Sequence, residues 1–203
     1  MIKIEHLNKS FGKNTILNDL CLDLPNHGIY LLTGDNGSGK STLLYILGLL
    51  DTSYMGRLYL DGIDVRCLTK NKLDKLRREK IGFVFPKGNL LNDISIFENR
   101  AFNVKGPVRN FDNLSDDKKP IALSGGEEIL LSISNELSKK RPICLFDEVS
   151  SSLDSEHLNQ INKILKSESD SHLFIMATHD ERIISSNLGI NLQIQDGKIK
   201  QLS

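Results

Sequence analysis

GIYLLTGDNGSGKS, residues 28–41, is the stretch on which the reading of this chain turns. Its first six residues form a short, nearly all-apolar run bounded by loops, the pattern of a parallel strand buried on both faces. The next eight match the phosphate loop G-x-x-x-x-G-K-S/T in full. Glycines let the backbone turn its N–H groups inward around a β-phosphate, and the N-terminus of the helix that follows adds positive potential. Lys40 is expected to reach the β- and γ-phosphates, and Ser41 to offer an oxygen to Mg²⁺. The expected phosphate-binding set is Gly34, Asp35, Asn36, Gly37, Ser38, Gly39, Lys40, Ser41 and Thr42. A helix is expected over residues 40–50.

Working outward, strand and helix signals alternate. Ile2, Ile4 and Leu7 suggest a half-buried strand, and RLYLDGIDV, residues 57–65, reads as two short strands turning at Asp61-Gly62. Leu73 and Leu76 mark a short charged helix, followed by a buried strand in IGFVF, residues 81–85. Residues 95–123 hold few apolar side chains, the breaker pair Gly106-Pro107 and the polar run SDDKKP. A small, partly irregular insertion that divides the core into two lobes is expected there. Beyond it, Ile129, Leu130, Ile133 and Leu137 stripe one helix, and Leu158, Ile161, Ile164 and Leu165 another. Each precedes a buried strand, at residues 143–146 and 173–177. A last hairpin, NLQIQDGKIKQL, turns at an Asp-Gly. The alternation means one α/β domain over residues 1–203, with a mainly parallel sheet and an antiparallel β edge.

Composition narrows the partners. Lys+Arg and Asp+Glu both count 26, so no global positive field gathers nucleic acid, and no nucleic-acid partner is expected. Cys21, Cys67 and Cys144 have neither metal-ligand spacing nor a paired framework, which suits a reducing, cytoplasmic setting. The longest apolar stretch, residues 43–50, is less than half of the roughly 20 residues a spanning helix needs. Direct membrane insertion is not expected. His6, His27, His157 and His172 are scattered without ligand spacing, and Arg77-Arg78 reads as a solvated helix face.

Two further motifs carry chemistry. ICLFDE, residues 143–148, ends a buried strand with two acids at the carboxyl edge of the sheet, where open α/β folds bind ligands. Asp147 would hold Mg²⁺, directly or through water, and Glu148 would orient or deprotonate an attacking water. LSGGE, residues 123–127, opens the helix striped by Ile129 and Ile133. Ser124 and the N–H groups of Gly125 and Gly126 make a second anion site there. Standing alone, LSGG would be read as a Ser N-cap with two turn glycines.

With the phosphate loop before it and the acidic pair after it, LSGGE resembles the signature motif of the ATPase subunits of ABC transporters. That resemblance implies a P-loop NTPase core with ATP and Mg²⁺ bound between two subunits. The signature residues Ser124, Gly125, Gly126 and Glu127 of one copy would close over the phosphate loop of another. It also implies that Phe11 stacks on adenine and that SSLD, residues 151–154, communicates between the two sites through Asp154. His179 in ATHD would contact the γ-phosphate. Glu148, His179 and Asp154 form the expected catalytic set. Residues 1–86 and 141–203 would be the core with its β edge, and residues 87–140 a shortened α-helical subdomain carrying the signature. The implied partners are a second ATPase subunit and an integral membrane permease, which would hold the chain at the inner face of the membrane. LRREKIGFVF, followed by NLL and FEN, resembles the branch linked to lipoprotein release, macrolide efflux and bacteriocin export. DNA-repair ATPase heads share LSGGE, but no sustained heptads occur here.

Some positions depart from the family pattern. Where a glutamine normally follows the strand IGFVF, this chain has Pro86, which has no side-chain oxygen and no backbone N–H. A weakly hydrolysing, nucleotide-dependent switch is therefore the alternative expectation. Ile129 stands where a basic residue commonly follows the signature, and Val149 where a proline often follows the acidic pair.

Overall fold

In the computed structural model, which describes residues 1–102, 104 and 114–202, the chain opens on two long antiparallel strands, β1 (Ile2–Phe11) and β2 (Asn14–Leu24). The pairing is irregular, and the register shifts between Ile4 and Leu7 and again before Lys9. His6 and Asp19 sit opposite each other at these shifts with φ of 51° and 50°, and their side chains meet at 2.7 Å. A bulge of this kind adds a residue and turns the following side chains to the other face. It explains why Ile2 and Ile4 are followed inward by Leu7 rather than by His6.

β3 (Gly28–Thr33) leads through the phosphate loop into α1 (Lys40–Leu47). The helix stops three residues short of the expected Leu50 because the chain turns at Gly48 and Leu49, the latter at φ 56°. A left-handed leucine costs roughly 1–2 kcal/mol, an amount its burial to 2 % exposure offsets. β4 (Met55–Leu60) and β5 (Ile63–Asp64) form the hairpin turning at Asp61-Gly62, and β4 pairs with β1. Gly56 is needed there: at φ 94° a side chain would put Cβ 2.3 Å from the His6 carbonyl oxygen.

α2 (Lys70–Lys80) feeds β6 (Ile81–Val84), followed by the short α3 (Ile96–Ala101) and by α4 (Gly125–Ser138). The expected breaker pair Gly106-Pro107 lies outside the described residues. β7 (Ile143–Asp147), α5 (Ser155–Glu168), β8 (Leu173–Ala177), α6 (Glu181–Ile184), β9 (Ile190–Gln195) and β10 (Lys198–Leu202) complete the chain. Six strands form one sheet in the order β10-β9-β3-β8-β7-β6, parallel except for the β9-β10 hairpin; β2-β1-β4-β5 form the second, antiparallel sheet.

The core lies on both faces of the six-stranded sheet, and strand alternation decides which face each residue joins. Tyr30, Leu32, Leu145, Leu173 and Ile175 pack toward α1 and the antiparallel sheet. Their neighbours Leu31, Cys144, Phe146, Phe174 and Met176 pack toward α4, α5 and Val149. A register slip of one residue would exchange the two sets, and each buried Leu, Ile or Phe is worth roughly 1.5–3 kcal/mol, so the register is strongly fixed. The expectation that the insertion parts the core into two lobes is thereby corrected. β6 and β7, which flank it, are adjacent parallel strands, and what separates the two apolar clusters is the sheet itself.

Candidate nucleotide-binding site

Three strand ends deliver the site. β3 ends into the phosphate loop, β7 ends on Asp147 and Glu148, and β8 ends ahead of Thr178 and His179. These strands are neighbours and parallel, so their carboxyl ends meet at one edge of the sheet.

The phosphate loop is shaped for an anion. Gly34, Gly37 and Gly39 all have positive φ, and at Gly34 a Cβ would lie 2.5 Å from the Ile194 carbonyl oxygen. Lys40, 5 % exposed, donates from Nζ to the carbonyl oxygens of Gly34 at 2.8 Å and Asp35 at 3.0 Å. Its charge is thus folded back over its own loop, within 3.7 Å of Glu148 Oε1. Ser41 Oγ donates to Asp147 Oδ1 at 2.7 Å. Two hard oxygens side by side, one of them a carboxylate, are the donor chemistry that Mg²⁺ takes alongside phosphate and water. The residues therefore fit Mg²⁺.

Glu148 is held in a strained conformation. Its backbone is left-handed, at φ 49° and ψ 35°, and its N–H donates to the Ala177 carbonyl at 3.0 Å. For a non-glycine residue this costs roughly 1–3 kcal/mol, which persists when surrounding structure over-determines it. The carboxylate is thereby aimed at the cleft. His179 Nδ1 approaches Glu148 Oε2 to 2.8 Å, at ion-pair distance but off the hydrogen-bonding axis.

Phe11, Ile16, Asn36, Gly37, Gly39, Lys40, Ser41, Thr42, Glu148 and His179 line a cleft of about 450 Å³. Gly34, Asp35 and Ser38 face a neighbouring hollow against β9 and its turn. A somewhat larger cavity of about 510 Å³, around Leu49, Tyr54, Leu73 and Arg77, contains no residue of the phosphate loop and neither Asp147 nor Glu148. Chemistry therefore singles out the first cleft. No residue of α2 is buried, as expected for a solvated face at Arg77-Arg78, and the Arg77 guanidinium bonds the Leu49 carbonyl and Asp74 beside that larger cavity.

The signature residues do not join this cleft. Ser124 caps α4, accepting from the Glu127 N–H at 3.3 Å, and Glu127 Oε2 accepts from the Ser124 N–H at 2.7 Å. The Ser124 N–H first, and then the Ser124 side chain, hold the Glu127 carboxyl below the usual carboxylate range. The N–H groups of Gly125 and Gly126, in the first turn, have no intrahelical acceptor. Gly126 packs so closely that a Cβ would sit 2.7 Å from the His157 ring. Asp154 caps α5, accepting at Oδ1 from the His157 N–H at 2.9 Å, and does not line the cleft.

Three supporting residues were not singled out from sequence. The phenol of Tyr45 has its pKa raised, first by burial and then by the charge and hydrogen bond of Asp147. Arg182 donates to Asp180 and to the Leu153 and Ser150 carbonyls, tying the segment after His179 to the SSLD loop. Lys9 lies beneath Phe11. A lone tyrosine, arginine or lysine carries no spacing signal, so only the fold reveals these roles.

Strand ends, phosphate loop and acidic pair define a P-loop nucleotide-binding domain of the α/β class. Residues 17–151 match the family described as ABC transporter, and the chain belongs to that family, as its ATP-binding domain. It is 33% identical over 219 aligned positions to the macrolide export ATP-binding/permease protein MacB of Mannheimia succiniciproducens, covering 98% of this chain and 34% of that one. It is also 33% identical over 215 positions to MacB of Campylobacter jejuni, covering 98% and 33%. The chain thus spans about a third of the length of these relatives. Among solved structures it resembles the ATP-binding cassette MJ0796, described as a dimeric post-hydrolysis state bound to ADP and Pi (TM-score 0.85, 28% identity, 100% of this chain and 98% of that one). It also resembles a second dimeric MJ0796 structure (TM-score 0.84, 30% identity, 98% and 97%). Among the described residues no helix is long and apolar enough to cross a membrane.

Proposed function

We propose that two copies of this chain bind Mg-ATP between them, close, and hydrolyse it to drive a separate membrane permease of exporter type. The observation that carries this reading is the position of Glu148. Its carboxylate lies between Lys40 and His179 at the cleft, where a water attacking a γ-phosphate would have to stand. In this reading Phe11 receives adenine, the phosphate loop from Gly34 to Ser41 with Thr42 receives the phosphates, and Ser41 and Asp147 hold Mg²⁺. Mg²⁺, when bound, offsets the charge on the β- and γ-phosphoryl oxygens. Glu148 orients the water and accepts its proton, and His179 positions Glu148 and reaches the γ-phosphate.

The separate placement of the signature supports a composite site. One wall of the cleft is open, and the capped N-terminus of α4 offers free N–H groups elsewhere on the same chain. Ser124, Gly125, Gly126 and Glu127 of a second copy would supply the missing wall, with Asp154 beside it. The chain acts as one unit, residues 1–86 and 141–203 forming the core and residues 87–140 the signature region. It sits at the cytoplasmic face of a membrane through its permease. The MacB relatives, which carry both ATP-binding and permease parts, support that pairing.

A second reading, a slow nucleotide-dependent switch, is favoured by one observation: no residue of the segment 85–89 lines the cleft. Pro86 offers no donor, and Asn89 pins the segment by accepting from the Phe85 N–H and bonding the Phe83 carbonyl.

Phosphate release and light scattering test the main reading together. Glu148→Gln is expected to slow Mg-ATP hydrolysis about 100-fold or more while trapping an ATP-dependent dimer. Unchanged hydrolysis in that variant removes the mechanism.

A further inference from the structure

Phe11 and Lys9 stand two residues apart at the end of β1, on either side of the last register shift in its pairing with β2. Phe11 is 56% exposed and lines the cleft, whereas Lys9 is 6% exposed and does not. The Lys9 ammonium nevertheless stands 4.8 Å from the centre of the Phe11 ring, within cation–π range. It therefore meets the ring from the strand side and leaves the cleft side open.

The ammonium is held in place. Nζ lies 2.7 Å from Asp51 Oδ2 and donates to the Ser53 carbonyl at 2.6 Å. The Asp51 carboxylate is itself fixed, its Oδ1 accepting from the Ser53 N–H at 2.9 Å. Asp51 and Ser53 belong to the connection that follows α1, the helix whose first residues are Lys40 and Ser41. One short helix thus carries phosphate-binding groups at its start and, just past its end, the anchor for the residue beneath the aromatic ring.

We propose that Lys9 is a positioning residue for nucleobase recognition, acting through Phe11; this rests on the nucleotide reading given above. The tethered ammonium fixes the ring over its own position. It also draws π density to the strand side, so the cleft face becomes less negative and a better stacking surface for an electron-rich purine. Without it, an exposed phenylalanine at a strand end is free to change rotamer, and base binding has to order it first. Lys9 touches no phosphate, so its effect is confined to ligands that carry a base.

The experiment compares ATP with inorganic tripolyphosphate, both in Mg²⁺, by titration calorimetry on the full chain. Lys9→Met is expected to weaken ATP binding about three- to tenfold and leave tripolyphosphate binding unchanged. Lys9→Arg, which keeps a cation at the ring, is expected to restore ATP affinity. In a Phe11→Leu background Lys9→Met should have no further effect, because the ring through which it acts is gone. Should Lys9→Met not fold, Asp51→Asn, which loosens the ammonium without deleting it, is expected to give the same selective loss. Equal losses for ATP and tripolyphosphate, or no loss for either, overturn the inference and leave the nucleotide reading standing. Wild-type protein that binds neither probe overturns both.

Discussion

His179 Nδ1 lies 2.8 Å from one oxygen of the Glu148 carboxylate, and the other oxygen lies 3.7 Å from Lys40 Nζ. A single carboxylate thus touches both ends of the expected γ-phosphate pocket. Removing the imidazole frees Glu148 to swing toward Lys40 and leave the line of attack. His179→Ala is expected to lower turnover about 100-fold, with ATP affinity changed by no more than about threefold. Phosphate release and calorimetry on the same preparation check this; a loss confined to affinity would reassign His179 to binding alone.

Ser41 Oγ and Asp147 Oδ1, 2.7 Å apart, come from opposite ends of the motif set and meet only because β3 and β7 both flank β8. Asp147→Asn keeps the shape and removes the charge that a divalent cation needs. Its expected signature is a rise of about tenfold or more in the Mg²⁺ concentration giving half-maximal hydrolysis, with ATP binding in EDTA little altered. A uniform fall in activity at every Mg²⁺ concentration would show that Asp147 does not act through the metal.

The order of elements was largely legible because the strands buried on both faces are continuous apolar runs: GIYLLT, ICLF and LFIMA announce themselves. β2 escaped notice for a local reason. The bulges at His6 and Asp19 break the period of two just where alternation would have marked the second strand. The short α3 also escaped, although Ser95 and Glu98 form a capping box whose S-x-x-E spacing is visible in SIFE. Within the site, the residues of the phosphate loop and the acidic pair were legible because each needs a neighbour at fixed spacing. Tyr45, Arg182 and Lys9 were not, since the groups that fix them, Asp147, the Leu153 carbonyl and Asp51, are 20 or more residues away in sequence and only the fold brings them together.

Glu127 gives a pH dependence with a definite sign. Its carboxyl is held below its ordinary value near 4.5, so its cap contributes fully above that value and is lost as pH falls through the lower folded pKa. Glu127→Ala is expected to lower Tm by about 1–3 °C at pH 7. The difference from wild type should shrink as the pH is taken below about 4. Thermal melts across that range decide it, and a difference independent of pH would mean that the side chain acts through packing rather than through its charge.

Pro86 bears on whether the chain turns over briskly. It lies in a segment secured at both ends: the Asn89 side chain accepts from the Phe85 N–H, and the Asn89 N–H donates to Ser132 Oγ on α4, the helix that Ser124 caps. Gly88, at φ 70°, packs so tightly on α4 that a Cβ would lie 2.6 Å from Ser132 Oγ. The segment therefore follows the signature helix rather than the nucleotide. Pro86→Gln returns an amide that can reach metal or water, and it removes the fixed φ. Turnover is expected to rise by about threefold or more with nucleotide affinity unchanged, a gain of the size one added polar contact in the transition state supplies. Steady-state phosphate release at saturating Mg-ATP is the measurement. Equal, brisk rates in the two proteins would remove the switch reading and show that Glu148 and His179 suffice without a glutamine at position 86.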